Sequence, residues 1–114
     1  MGVPRAYERL KSRHANFMQA VENLGEAARK DGPLDEKTSH LVQLAAAAAN
    51  RSEGAVHSHT RRALAAGATP EELRHAVILL ASTIGFPVMV ATSCWVDEAI
   101  EAWNAGEQRA VAKG

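Results

Sequence analysis

Ala63-Leu64-Ala65-Ala66-Gly67-Ala68-Thr69-Pro70-Glu71-Glu72 decides the fold class of this chain. A run of helix-favouring residues meets Gly67, which readily takes the left-handed backbone that ends a helix. Thr69 then offers a hydroxyl to cap a new helix. Pro70 takes the first helical position, where a missing N–H goes unnoticed, and Glu72 stands where its carboxylate reaches back to the cap amide. A helix therefore ends and another begins within one short stretch.

Working outward, the helix that starts at Pro70 carries Leu73, Val77 and Leu80 inward, and Gly85-Phe86-Pro87 breaks it. Val77-Ile78-Leu79-Leu80 also suits a buried strand, but it lies inside the capped helical pattern. Upstream, a helix is expected from Ser52 or Glu53 to Gly67, and another from its N-cap Asp35 to about Asn50. Ala45 to Ala49 favour helix and let a neighbouring backbone come close. Asp31-Gly32-Pro33 is a stop. Before it Pro4 opens a first helix, in which Tyr7, Leu10, Phe17, Val21 and Leu24 recur at helical intervals, with a break near His14 or Gly25. A last helix is expected from about Val88 to Trp103, with Val88, Ala91, Trp95 and Ile100 inward. The expectation is a single all-α domain over residues 1–114, of about five to six helices.

With 114 residues the chain suits one domain, long enough to bury a core but with little to spare. Thirteen basic and thirteen acidic residues balance to a formal charge of +0, which gives no electrostatic reason to expect nucleic acid or an anionic membrane. Met1 to Tyr7 lacks the apolar run of a signal peptide, and Leu44 to Ala49 is too short to span a bilayer, so a soluble cytoplasmic protein is expected. Cys94 is the only cysteine, which rules out an intrachain disulfide. It reads as a small buried residue beside Trp95. Phe17, Met18, Ile84, Phe86, Met89 and Trp95 present apolar surface that a chain this short would bury against copies of itself.

The chemistry gathers in Arg51-Ser52-Glu53-Gly54-Ala55-Val56-His57-Ser58-His59. Ser52, Ala55 and His59 are spaced by three and four residues and share a helix face; Glu53 and His57 share another. His57 and His59, two apart, point to nearly opposite sides. A divalent metal (zinc, iron, manganese or nickel) therefore has two candidate donor sets, His40 with His59, or Glu53 with His57 completed by a neighbouring subunit. The bland role of Glu53 is a first-turn acid favoured by the helix dipole. Arg61 and Arg62 suit a salt bridge to Asp97 or Glu98, or a substrate carboxylate. His75 reads as a surface partner of Glu71 and Glu72, and His14 as solvated.

The segments Leu34-Asp35-Glu36-Lys37-Thr38, Arg51 to His59, Ala63 to Glu72 and Gly85-Phe86-Pro87, in this order and spacing, resemble the carboxymuconolactone decarboxylase and alkylhydroperoxidase-D family over roughly residues 34–103. The resemblance implies an all-helical fold, assembly into trimers or hexamers, and a site near a subunit interface. The peroxidase branch of that family carries Cys-x-x-Cys-x-x-x-His and a proton-relaying glutamate one helix earlier. Position by position, the cysteines fall on Ser52 and Ala55, the histidine on His59 and the glutamate on His40. Only the histidine is retained.

A serine hydroxyl cannot pass through a sulfenic acid and an alanine has no chemistry, so dithiol peroxidase activity is expected to be absent. The antioxidant activity of the cysteine-containing relatives would need Cys94 to act alone or across an interface. The decarboxylase branch works instead by acid–base chemistry on a lactone acid. The resemblance implies related chemistry here, with His59 as general acid or base and His40 as its partner. Ser52 would hydrogen-bond a small organic acid or carbonyl compound. The rival expectation is a non-catalytic oligomer or ligand binder that kept the scaffold.

Overall fold

The computed structural model describes residues 5–113, with side chains described from Ala6 to Glu107. Pro4, expected to open the first helix, lies outside the described residues. Six helices and a single extra turn make up the described chain: α1 (Arg5–Arg13), α2 (Ala15–Lys30), α3 (Glu36–Ala49), α4 (Glu53–Ala65), α5 (Pro70–Ile78), the turn α6 (Ala81–Ile84) and α7 (Phe86–Lys113). No strand occurs among the described residues, so Val77 to Leu80 is helical in origin. No helix among them is long and apolar enough to cross a membrane.

The caps follow from local chemistry. The Asp35 side chain accepts from the Thr38 amide at 2.7 Å and starts α3. At α5 both halves of the capping box form: the Glu72 amide donates to Thr69 Oγ1 at 3.1 Å, and the Thr69 amide donates to Glu72 Oε1 at 2.9 Å. The first helical stretch does break at His14, which separates α1 from α2.

Helices α3 and α4 end alike. After α3 the Arg51 amide donates to the Ala48 carbonyl and the Ser52 amide to that of Ala47, both at 2.9 Å. After α4 the Gly67 amide reaches Leu64 and the Ala68 amide reaches Ala63, at 3.0 and 2.9 Å. Each is a Schellman turn whose pivot is left-handed. Gly67 takes φ 99° without steric strain, whereas Arg51 sits at φ 53° with a β-carbon that resists it.

The core lies where α3, α4, α5 and α7 meet. Leu44 and Ala48 from α3, Val56 and Ala63 from α4, Leu73 and Val77 from α5, and Val96 and Ile100 from α7 form one buried cluster. Thr60 and Thr92 are buried among them, each returning its hydroxyl to a carbonyl one turn earlier (Val56 and Val88) at 2.8 Å. Lys37 of α3 meets Glu72 of α5 at 2.9 Å across the surface.

Three expectations need correction. The helix from Pro70 does not run unbroken to Gly85; it is interrupted at Leu79–Leu80, where the Leu80 amide turns back to the Val77 carbonyl and that of Thr83 to Leu80, three residues earlier in each case, and α6 restarts the coil. Helix α7 begins at Phe86 and continues past Trp103, because Pro87 falls in its first turn, where no amide is missed. Its inward face is Thr92, Val96, Ala99 and Ile100, leaving Val88, Ala91 and Trp95 half-buried and Cys94 exposed. Met18 is likewise buried, while Phe17 and Phe86 remain 62% and 65% exposed, so of these only the last two are free apolar surface.

The strained pivot makes a prediction. Replacing Arg51 by glycine removes the left-handed penalty but adds the entropy that glycine loses on folding. The balance is a gain of roughly 0.5–1 kcal/mol, or a few degrees in melting temperature. Gly67→Ala should move the melt the other way. A lower melting temperature for Arg51→Gly, followed by circular dichroism, would contradict the strain.

Candidate functional site

His40 and His59 reach each other from adjacent helices. Four residues separate His40 from Leu44 on α3, and His59 lies four before Ala63 on α4, so both project at the edge of the buried seam. Their Nδ1 atoms are 3.2 Å apart, with ring centroids at 5.4 Å and planes inclined at 36°. His40 is 2% exposed, and its other nitrogen, Nε2, meets Glu36 Oε1 at 3.1 Å one turn earlier. Arg29 of α2, itself largely covered, brings its Nε to 3.4 Å from the same oxygen.

Both imidazoles are held neutral. Burial pushes His40 below its ordinary value, against the opposing pull of the Glu36 hydrogen bond. Burial pushes His59 down to about 4, helped by His40 and by the positive charges of Arg62 and Arg29.

Two clefts flank the pair. One, of about 660 Å³, is bounded by Tyr7, Lys11 and Val21 on the α1–α2 side and by Ala55, Ser58, His59, Arg61 and Arg62 on α4. The other, of about 470 Å³, is lined by Glu36, His40 and Arg29 among polar residues of α2. Glu22 and Arg62 border both. Glu22 is already engaged: the Tyr7 hydroxyl donates to it at 3.0 Å and Lys11 lies 3.4 Å from the same oxygen. Arg61 and Arg62 form no ion pair among the described residues. Arg74 instead pairs with Asp97 at 3.2 Å, and Glu98 faces His57, so the expected bridges to Asp97 or Glu98 are not made. The first cleft thus joins a neutral imidazole to unpaired guanidinium groups.

The remaining candidates lie elsewhere. Ser52 is the N-cap of α4, makes no capping bond through its side chain, and does not line the His59 cleft, where Ser58 stands instead. Glu53 is exposed. His57 turns away from it, buried, with Nε2 at 3.6 Å from Glu98 Oε1 and no hydrogen bond on that atom. Among the described residues no three His, Cys, Asp or Glu side chains converge on a metal position, so within one chain neither donor set is more than a pair. Cys94 lines neither cleft. Glu36 was missed in the sequence, although its place four residues before His40 on one helix was a usable signal. Arg29 comes from a separate helix and gave none.

The sequence profile of the carboxymuconolactone decarboxylase family matches residues 15–98. The chain belongs to that family. It carries no Cys-x-x-Cys pair, Ser52 and Ala55 standing at the spacing such a pair would occupy. A carboxymuconolactone decarboxylase family protein from Legionella pneumophila, solved in its apo form, superposes with a TM-score of 0.71 at 27% identity, over 84% of this chain and 85% of that one. An uncharacterised protein of Haemophilus influenzae is 33% identical over 61 residues, 54% of each chain, so the match spans about half the length of that curated relative. Within the family match lie α2 to α6 and the first half of α7; helix α1, which walls the His59 cleft through Tyr7 and Lys11, precedes it.

The buried histidines link stability to pH. Their folded values lie below the ordinary one, so between about pH 6.5 and pH 4 the unfolded chain binds more protons than the folded one. Their contribution is complete above about pH 6.5 and is lost as the pH falls toward 4. The melting temperature should drop across this window, and less steeply for His59→Gln. Parallel pH curves for the two proteins would show that His59 is not held neutral.

Proposed function

We propose that this chain is an acid–base enzyme without a redox dithiol, acting on a small organic acid or carbonyl compound. The observation that carries the reading is the His40–His59 contact at 3.2 Å on the rim of a cleft that also holds Arg61 and Arg62. His59 Nδ1 is occupied by His40, which leaves Nε2 for a ligand. The guanidinium groups supply fixed positive charge for a carboxylate.

An anion bound there has a second effect. It offsets the arginine charges that add to burial in holding His59 neutral, and raises the affinity of Nε2 for a proton. Substrate binding thereby strengthens the base at the moment of use. His59 Nε2 takes a proton from a carbon next to a carbonyl or carboxyl group, and the imidazolium returns it to another atom of the same ligand. Isomerisation, lactone opening or closing and decarboxylation all fit this pattern.

Self-association is part of the same proposal. Phe17, Leu24 and Phe86 are 62%, 70% and 65% exposed, and burying them between copies, in the trimer or hexamer that the family resemblance implies, removes apolar surface that a single chain leaves wet.

A turnover screen of small oxo acids, unsaturated acids and lactone acids tests the proposal. His59→Ala should lower turnover by about 10²–10⁴-fold, the usual contribution of a positioned acid or base. Arg62→Ala should act mainly on KM. In the pH profile, kcat/KM should lose activity as the pH falls through about 4, the value of the free enzyme, with the corresponding limb of kcat at higher pH. Turnover unchanged in His59→Ala would remove the proposal.

A further inference from the structure

We infer that Glu36 is a positioning residue that acts through His40 to fix on which nitrogen His59 carries its proton. The inference rests on the acid–base reading for its use, but it stands on separate geometry. Three groups form one chain: Glu36 Oε1 to His40 Nε2 at 3.1 Å, then His40 Nδ1 to His59 Nδ1 at 3.2 Å. Only one proton order satisfies both contacts. A carboxylate accepts and does not donate, so His40 must donate through Nε2–H. Neutral His40 then has a lone pair on Nδ1, and His59 must donate to it through Nδ1–H. The lone pair of His59 is left on Nε2. The opposite order would set the His40 Nε2 lone pair against the Glu36 oxygen, two acceptors in contact. Arg29 Nε lies 3.4 Å from the same Glu36 oxygen, an ion pair without a hydrogen bond that favours the carboxylate form there.

An isolated imidazole favours the other tautomer, with its proton on Nε2. Because the two rings meet through Nδ1, one of them must carry the disfavoured Nδ1–H, and without Glu36 nothing selects which, so the two orders would mix and the base would be blocked part of the time. When Nε2 of His59 takes a proton from a ligand, Nδ1–H keeps donating to His40 and His40 Nε2–H keeps donating to the Glu36 carboxylate, so the imidazolium stays oriented and its Nε2 proton is the one returned to the ligand.

Nitrogen NMR of protein labelled with ¹⁵N-histidine, at neutral pH and without ligand, tests the assignment. His59 should show a pyridine-like Nε2 and a protonated Nδ1, and His40 the reverse. In Glu36→Ala, His59 Nε2 should lose its purely pyridine-like shift and move toward the protonated, pyrrole-like position as the two orders mix. Glu36 is the exposed first residue of α3, and a thermal melt confirms that the variant is folded. Glu36→Gln, whose amide can present either an acceptor or a donor, should give a mixture of the two forms. A wild-type His59 protonated on Nε2, or a proton order untouched by Glu36→Ala, overturns the inference. The expected order in a protein that turns over nothing would count against the acid–base proposal and leave the positioning role in place.

Discussion

Everything in this site depends on how closely α3 approaches α4. Neither histidine has a partner on its own helix that could replace the other: Thr60, Val56 and Ala63 occupy the seam on α4, and Leu44, Ala47 and Ala48 on α3. Small residues at these positions let two backbones come near enough for imidazoles at the end of the seam to touch, since interhelical distance follows the side chains at the contact. A larger residue in place of Ala47 or Ala48 would separate the helices and open the 3.2 Å contact between the rings before it reached the outer surface. Packing and chemistry are here one constraint.

The electrostatics follow from the same burial. With His40 buried, His59 half-buried and the charges of Arg29 and Arg62 nearby, the pair stays neutral where an exposed histidine would begin to charge. The single cysteine, Cys94, is exposed on α7 and lines neither cleft, so it stands apart from the histidine pair. What remains is a pair of touching imidazoles beside guanidinium groups, the arrangement on which the acid–base proposal rests. Helix α1 adds to it from outside the family match, placing Tyr7 and Lys11 around Glu22 as one wall of the cleft.

Much of the fold was legible wherever a residue acts on its own backbone. Asp35, Thr69, Pro70, Glu72 and Gly67 each do locally what their chemistry dictates, whereas the sequence left the break in the first stretch at His14 or Gly25, and Gly25 lies inside α2. The interruption at Leu79–Leu80 was not legible, because neither residue is a helix breaker; packing of Leu80 into the core wins over propensity there. The inward face of α7 was misplaced by part of a turn for a related reason. Trp95 and Val88 are more apolar than Thr92 and Ala99, yet the core has room for the smaller side chains. Cys94, expected inside on residue type, is outside by the same rotation.

The site was legible in part. The juxtaposition of His40 with His59 came from the family resemblance, and the structure puts them in contact. Ser52, taken for a site residue through its place in the motif, stands at the N-cap position of α4 and does not line the cleft, while Arg29 reaches Glu36 from a helix that no local pattern connects to it. A pH titration of the five histidines by NMR bears on all of this at once. A half-buried, neutral His59 has a midpoint of about 4, well below the ordinary histidine value of about 6.5. A midpoint for His59 of about 6.5 would mean a solvated, unpaired ring, and the site described above would not exist.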